Sequence, residues 1–322
     1  MRWFQDLTGL PTHDRALVQA TVKLEGPQLR CLANGRLLSP GQLLMPTLNA
    51  LRQAPPATPA SQIALSEVVA DVQSLHLDPA NAGAVFQVAS QFNLLEMVNP
   101  TVSPEDGIAR YAFDQTQGPA RAMACGTGTL WRNDFVCLNG GIGQTKDRQI
   151  DCLADLGAAL GNTHAQLWSM TNGYVLPKPG ALGRIAGKLT AMSELQLDAL
   201  RGLLRIGIQF DTEVTLNIAQ HRVTQIYCSA LPIAYGNDRT QDWEPFAKLV
   251  LEAAYEATFR AALRYGKPGQ PLFLTLLGGG AFGNPKNWIV AAIRRATVLF
   301  KSSGLDVRLV SFGAPTGSLR GL

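Results

Sequence analysis

The sequence is poor in charged residues, in aromatic rings and in histidine. Of its 322 residues, 16% are charged, 7% are aromatic and 4 are histidines, whereas 46% are hydrophobic. So low a charged fraction beside so much apolar content excludes a disordered chain and a coiled coil. The 28 Lys and Arg residues exceed the 24 Asp and Glu residues by only 4. Because these charges are interspersed, no basic arm for nucleic acid and no membrane-binding patch is predicted.

Long apolar runs are also lacking. No window approaches the roughly 18 apolar residues that a membrane-spanning helix needs, and the first residues, Met1 to Asp6, resemble neither a signal peptide nor a transit peptide. We therefore expect a soluble, cytoplasmic protein that does not contact a membrane.

Cysteine and histidine are few and scattered, with neither a CxxC pair nor an HxxxH pair among Cys31, Cys125, Cys137, Cys152, Cys228, His13, His76, His164 and His221. This spacing favours buried, reduced thiols over disulfides or a zinc site. A thiol nucleophile at Cys125 or Cys228 would need a histidine brought in by the fold. No metal and no cofactor is expected.

Four short apolar runs have the length of buried strands: 83–90, 222–231, 271–277 and 306–312. Helical apolar periodicity fills the intervals after the second and third runs, over 243–265 and from Pro285 to Phe300. Strands that alternate with helices predict a parallel sheet covered on both faces in the last third of the chain.

The chain divides at a segment rich in proline and alanine. Leu51 to Ser61 contains three prolines, which interrupt a helix, so we interpret it as a linker. Before it, Val18–Leu24 and Gln28–Leu32 predict short strands. We assign residues 1–60 to a β-rich extension with its linker, and 61–322 to an α/β domain. A helical insertion is expected at about 151–210, where Ser193 and Gln196 have the spacing of a capping box.

The most informative motif runs from Leu276 to Pro285 and contains Gly278, Gly279, Gly280, Ala281, Phe282, Gly283 and Asn284. Consecutive glycines after a strand and before a helix allow a ligand to approach backbone amides, which suits an anionic diphosphate. The alternative is a tight turn without a ligand. The motif is neither a Walker A loop nor a GxGxxG fingerprint.

This segment resembles the second phosphate-binding loop of macrodomains, Gly-x-Gly-x-Phe-Gly-x-Pro, which surrounds the diphosphate of ADP-ribose. The strand that ends at Ser229–Pro232 is similar to the preceding strand in the poly(ADP-ribose) glycohydrolase-like branch. The resemblance implies a three-layer α/β/α macrodomain-like domain with a mixed sheet, interrupted by the helical insertion and preceded by the small β-rich extension.

The first site loop of that family follows an Asn at a strand end, and Asn93 occupies that place. The resemblance implies that Asn93 binds the distal ribose, with Gln91, Phe92 and Gln117 at the rim of the pocket. Leu94 to Pro100 replaces the family's glycine run, and no Gln-Glu-Glu follows.

Three acids remain for proton transfer: Glu96, Glu105 and Asp106. Cleavage of a glycosidic bond needs a carboxylic acid near the leaving oxygen or a carboxylate near the oxocarbenium ion. Glu96 is equally a candidate for a salt-bridged loop acid, and Glu105 and Asp106 for helix N-terminal acids.

Two further polar stretches have open interpretations. Tyr111 to Pro119 contains Asp114, Thr116 and Gln117 before an apolar segment, where such side chains either contact a ribose or base or cap a helix. Gly140 to Asp147 is glycine-rich but follows no predicted strand, which favours a turn over a phosphate loop.

These observations lead to one function and one alternative. The protein is expected to bind ADP-ribose or a related nucleotide, free or carried by an ADP-ribosylated protein or nucleic acid, and to hydrolyse the ADP-ribosyl glycosidic bond. The alternative is a non-catalytic reader of an ADP-ribose-like nucleotide, because the family's acidic pair is missing.

Overall fold

The fold is taken from a computed structural model that describes residues 2–53, 61–315 and 317. Within these residues the helices are α1 Arg2–Thr8, α2 Arg15–Thr21, α3 Leu48–Arg52, α4 Val72–Leu77, α5 Gln117–Ala124, α6 Gly126–Leu130, α7 Ala154–Leu160, α8 Ala181–Thr190, α9 Glu194–Arg201, α10 Thr240–Tyr265 and α11 Lys286–Leu299. The strands are β1 Val22–Glu25, β2 Gln28–Cys31, β3 Leu37–Leu38, β4 Gln42–Leu44, β5 Ala64–Val69, β6 Val85–Ala89, β7 Cys137–Leu138, β8 Gly141–Ile142, β9 Trp168–Thr171, β10 Tyr174–Pro177, β11 Gly207–Glu213, β12 Arg222–Cys228, β13 Leu272–Leu274 and β14 Asp306–Ser311.

The largest sheet in the described residues has seven strands in the order β4-β11-β12-β6-β13-β14-β5. The strands from β12 to β5 are parallel, whereas β11 is antiparallel to both of its neighbours. The four predicted apolar runs supply β6, β12, β13 and β14. The sheet is therefore mixed, as predicted, with its parallel part formed largely by the last third of the chain.

Helices cover both faces of this sheet. Along β6, Val85 and Gln87 face α10, where the Gln87 amide donates to the hydroxyl of Thr258 at 2.9 Å, while Phe86 points to the opposite layer and stacks on Phe273 of β13 at 4.7 Å between ring centroids. Burial on both faces explains why these strands are nearly continuous apolar runs. The three-layer α/β/α architecture predicted from the sequence is confirmed.

The helix predicted over 243–265 begins earlier, at Thr240, so that Pro245 lies inside α10 rather than in its first turn. The capping box predicted at Ser193 is present: its hydroxyl accepts the N–H of Gln196, and the Gln196 side chain accepts the N–H of Ser193. The segment 151–210 contains α7, α8 and α9, together with the β9–β10 hairpin and the start of β11.

The N-terminal region differs in detail from the prediction. The strand expected from Val18 begins only at Val22, because Asp14 caps α2 by accepting the N–H of Leu17 at 2.8 Å. β1, β2 and β3 form a three-stranded antiparallel sheet, and β4 joins the main sheet beside β11. Of the predicted linker, Leu51 and Arg52 belong to α3, whereas residues 54–60 lie outside the described residues.

A buried acid joins four helices on one side of the sheet. Glu256 of α10 accepts hydrogen bonds from Arg52 of α3 (2.8 Å), Arg295 of α11 (2.9 Å) and Arg260 of α10 (3.0 Å). Arg52 and Arg295 also bind Asp198 of α9. Burial alone favours the neutral acid, but the hydrogen bonds from Arg52 and Arg295 outweigh it and hold the pKa of Glu256 at about 2.

Glu256→Gln should destabilise the protein by about 3 kcal/mol, because partly buried arginines lose the carboxylate that compensates their charge. Urea unfolding followed by circular dichroism measures this. The matched control is Glu244→Gln on the same helix, which removes an exposed pair with Lys248 and should cost less than about 1 kcal/mol. Equal effects of the two substitutions would show that the Glu256 cluster has no special role.

Candidate functional site

A cavity of about 620 Å³ lies at the carboxyl ends of β6, β12, β13 and β14. Ala89 ends β6, Ala230 and Thr275 follow β12 and β13, and Ser311 ends β14, and all four residues line the cavity. Open parallel sheets place ligands at this edge, and the volume is within the range of small-molecule sites.

The glycine motif forms one wall of the cavity, from Gly278 to Phe282. Gly278 has φ +74°, and a Cβ there would lie 2.5 Å from the Cβ of Ala230, so both conformation and space require glycine. In the described part of the chain, the N–H groups of Gly280, Ala281 and Phe282 donate to no protein acceptor. They are free to bind an anion.

Buried side chains fix this loop from behind. The Tyr255 hydroxyl donates to the carbonyl of Thr275 (2.6 Å) and accepts the N–H of Leu277 (3.0 Å). Asn284 donates to the carbonyl of Leu231 at 2.8 Å, so its side chain holds the loop and does not line the cavity. Gly283, with φ +71°, packs on Ala234 and also lies off the cavity.

The segment after β6 supplies a second wall, which contains Gln91 and Glu96. The side-chain oxygen of Gln91 accepts the N–H of Met97 at 2.6 Å, and the N–H of Glu96 donates to the hydroxyl of Tyr111 at 2.7 Å. Between them, Leu94 has φ +62° and is buried against Gly207 of β11. A bulky residue in this conformation costs about 1 kcal/mol or more, so packing holds the loop in a strained shape.

Glu96 is a buried carboxyl whose hydrogen-bonding capacity is not fully satisfied. It is 5% exposed, and its Oε1 has no hydrogen-bond partner among the described residues. Its Oε2 lies against the backbone of Gly118 in the first turn of α5. Burial raises the pKa of Glu96 well above its ordinary value, although the nearby positive charges of Arg132 and Arg121 oppose this. A carboxyl with a raised pKa keeps its proton to higher pH than an ordinary one and can act as a general acid.

Both arginines are themselves buried. Arg132 donates to the carbonyl of Leu94 and to the side chain of Gln209, each at 3.0 Å, and stacks over the ring of Tyr227. Arg121 of α5 donates to the carbonyl of Gln87, and burial lowers its pKa to about 10. The surroundings of Glu96 therefore contain two cationic side chains, Arg121 and Arg132, that are buried from solvent.

An aromatic cluster from three segments completes the cavity wall. Tyr174, Tyr235 and Phe282 have ring centroids 5.0 to 5.8 Å apart, and all three line the cavity. Sequence reasoning missed Tyr174 and Tyr235. Tyr174 belongs to the β9–β10 hairpin, whose Gly173 (φ +81°) packs against the side chain of Asn93. This packing places Tyr174 at the cavity, and no pattern in the sequence around Tyr174 indicates it.

The polar stretch 111–119 contributes to the same cavity, through Asp114, Thr116, Gln117, Gly118 and Pro119. Asp114 accepts the N–H of Thr116 at 2.8 Å, immediately before α5 begins. Both interpretations of this stretch are thus compatible with its position. The second glycine-rich stretch, 140–147, forms β8 and a turn and does not line the cavity.

Several predicted site residues lie elsewhere. Phe92 packs in the main core, and the Asn93 amide donates to Gln149 at 2.9 Å and accepts the N–H of Leu95, so neither side chain lines the cavity. Asp106 accepts the N–H of the N-cap residue Ser103, as expected for an acid at the start of a short helix, and Glu105 accepts the N–H of Lys146. The structure therefore brings together Gln91, Glu96, Gln117 and residues 278–282.

Burial disfavours nucleophilic activation at four of the five cysteines. Cys31, Cys125, Cys152 and Cys228 are buried, Cys137 is exposed, and all five are free. Burial raises the pKa of Cys228 to about 12 and that of Cys125 further, which disfavours the reactive thiolate. Among the described residues, no helix is both long and apolar enough to cross a membrane, and no three potential ligands cluster around a metal position.

The fold and this cavity define a three-layer α/β/α protein with a candidate ligand site at the carboxyl edge of its parallel strands.

No known family model and no curated protein sequence matches the chain. The chain is similar to the solved structure of poly(ADP-ribose) glycohydrolase from Thermomonospora curvata, with 12% identity over 95% of this chain and 93% of that chain and a TM-score of 0.46. The same enzyme bound to the inhibitor ADP-HPD gives the same values. Poly(ADP-ribose) glycohydrolase from Deinococcus radiodurans in complex with ADP-ribose is 12% identical over 86% of this chain and 92% of that chain, with a TM-score of 0.45.

Gly118→Ala should destabilise the protein by about 2 kcal/mol, because the new methyl group would overlap the Glu96 carboxyl and the carbonyl of Ala89. Alanine in place of glycine ordinarily favours a helix, so the sign itself is diagnostic. Thermal and urea unfolding measure the effect. Gly280→Ala is the matched control, since a Cβ there meets nothing within 4 Å. Unchanged stability of Gly118→Ala would contradict the packing of Glu96 described above.

Proposed function

We propose that this protein binds ADP-ribose, free or attached to another molecule, and hydrolyses the ADP-ribosyl glycosidic bond. One observation carries the proposal: a buried carboxyl with a raised pKa, Glu96, lines the same cavity as a glycine loop with three free backbone N–H groups. An anion-binding loop beside a proton donor suits a phosphorylated substrate that leaves through a protonated oxygen.

The glycine loop would hold the diphosphate. Its three unpaired amides can donate to phosphate oxygens, and α11 begins directly after the loop, at Lys286, with the positive end of its dipole. The motif Gly278 to Pro285 is also the part of the sequence that resembles the macrodomain diphosphate loop.

The ribose nearest the cleaved bond would lie between Phe282, Gln91 and Glu96. Phe282 offers an apolar ring, and Gln91 a side-chain amide held by Met97 and Tyr174. In this proposal Asn93 does not contact the ligand; its hydrogen bonds to Gln149 and Leu95 hold the loop after β6 in shape. Gln117 at the rim contacts the outer part of the ligand. Glu96 donates its proton to the leaving oxygen, which makes the bond easier to break.

The alternative is a reader that binds the nucleotide without turnover. It is favoured by the positions of Glu105 and Asp106, which leave Glu96 as the buried acid of the described cavity wall. The two functions predict the same binding and differ only in chemistry, so separate measurements distinguish them.

Binding is tested with Gly280→Glu, in which a carboxylate would occupy the space proposed for the diphosphate. Because a Cβ at Gly280 meets no atom within 4 Å, the variant should fold normally. Calorimetric titration should show micromolar binding of ADP-ribose to the wild type and at least a roughly tenfold loss in the variant. Gly280→Ala should bind within about threefold of the wild type. Equal affinity of all three proteins would place the ligand elsewhere.

Turnover is tested with Glu96→Gln, which keeps the size of the side chain and removes the acid. ADP-ribose binding should stay within about threefold, while release of ADP-ribose from poly(ADP-ribose) or an ADP-ribosylated protein, followed by chromatography, falls by at least about a hundredfold. Since the reactive form is protonated, wild-type activity should decline as pH rises through the raised pKa of Glu96. Wild-type binding without any release would instead support the reader.

A further inference from the structure

A second carboxylate, Asp114, lines the cavity together with Glu96. It follows the 3-10 helix Ile108–Phe113, is half-buried, and its N–H donates to the carbonyl of Tyr111 at 3.1 Å. One carboxylate oxygen, Oδ1, accepts the N–H of Thr116 at 2.8 Å. No arginine, lysine or histidine within the described residues forms an ion pair with it. The turn therefore fixes the carboxylate, and no cation neutralises it.

One short segment positions both acids. The hydroxyl of Tyr111 accepts the N–H of Glu96, and the backbone of Gly118 abuts the Glu96 carboxyl. Asp114 lies between these two residues in the chain. Its position relative to Glu96 is thus set by a segment that touches Glu96 at both ends.

The two carboxyls have unequal surroundings. Glu96 is 5% exposed and Asp114 is partly open to the cavity. After burial and the opposing charge of Arg132, the charge of Asp114 is a further contribution to the raised pKa of Glu96, and Arg121 opposes it. Paired carboxyls in unequal environments divide into an acid and a base.

We propose that Asp114 is the second catalytic residue of the reaction and acts as the base that activates water. This inference rests on the proposed function. The bond between the ribose C1 and the leaving oxygen breaks as that oxygen takes the Glu96 proton. A water oxygen forms the new bond to C1, and the proton lost by that water passes to Asp114. The products are an alcohol or acid and ADP-ribose with a hydroxyl at C1; proton exchange with solvent then restores both carboxyls.

The competing explanation for Asp114 is a structural turn before α5. Asp114→Asn retains Oδ1 and its bond to Thr116, and Asp114→Ser can accept the same N–H through its hydroxyl. Both variants therefore preserve the turn while removing the carboxylate. Asp147→Asn removes an exposed carboxylate outside the cavity and serves as the matched control.

The experiment measures ADP-ribose affinity and the rate of ADP-ribose release for the wild type and the three variants. Both Asp114 variants should bind ADP-ribose within about threefold of the wild type and lose at least about a hundredfold in kcat. Azide, a nucleophile that needs no base, should partly restore bond cleavage in Asp114→Ser and yield ADP-ribosyl azide. Asp147→Asn should match the wild type.

Three outcomes would overturn the inference, and they are distinguishable. If Glu96→Gln is inactive and both Asp114 variants release ADP-ribose at the wild-type rate, Asp114 is a turn residue and the proposed function stands. If the wild type releases no ADP-ribose, the proposed function and the inference fail together. A loss of kcat in Asp114→Asn without azide rescue in a folded Asp114→Ser would also contradict a role as base.

Discussion

Parallel pairing of β6 with β12 on one side and β13 on the other is the constraint on which the candidate site depends. In this register Ala89 pairs with Cys228 and Phe86 with Phe273. Because parallel strands end at the same edge, the segments that follow β6, β12, β13 and β14 all start there. Residues as distant in the chain as Glu96 and Phe312 thereby share one cavity. The loops supply the polar side chains and backbone amides of the cavity, and the sheet sets the positions at which those loops begin.

Two of the buried acids, Glu256 and Glu96, illustrate different uses of burial. Glu256 is surrounded by arginine donors that satisfy both of its oxygens, and its charge is maintained. Glu96 has an oxygen without a partner in the described residues. The donors of the nearby Arg132 are directed to other acceptors, and two nitrogens of the nearby Arg121 also lack a partner there. An unsatisfied buried group costs stability. Together with the strained Leu94, this local cost is typical of a segment shaped for function rather than for stability.

Prediction from the sequence succeeded where short-range patterns determine the structure. Apolar runs gave β6, β12, β13 and β14, and the capping box gave the start of α9, because these signals lie within a few residues. The glycine loop was found for the same reason: Gly278 requires a conformation that other residues avoid. The sequence gives no indication of contacts that the tertiary structure decides. Asn93 faces Gly173 and Gln149, and Tyr174 reaches the cavity from a hairpin whose sequence carries no sign of that contact. The site residues taken from the pattern alone remain predictions.

The pairing of β5 with β14 has a consequence for folding kinetics. Ala64 pairs with Asp306 and Val69 with Ser311, so this edge joins two segments that are far apart in the chain. Contacts so distant in sequence form slowly, because the entropy of closing a long loop is lost before the paired strands contribute any stabilising free energy. Ser311 and Phe312, which line the cavity, are placed by that strand pair. The cavity is therefore complete only when these strands are paired in the native state. A ligand that fills the cavity binds that state and stabilises it relative to partly folded forms.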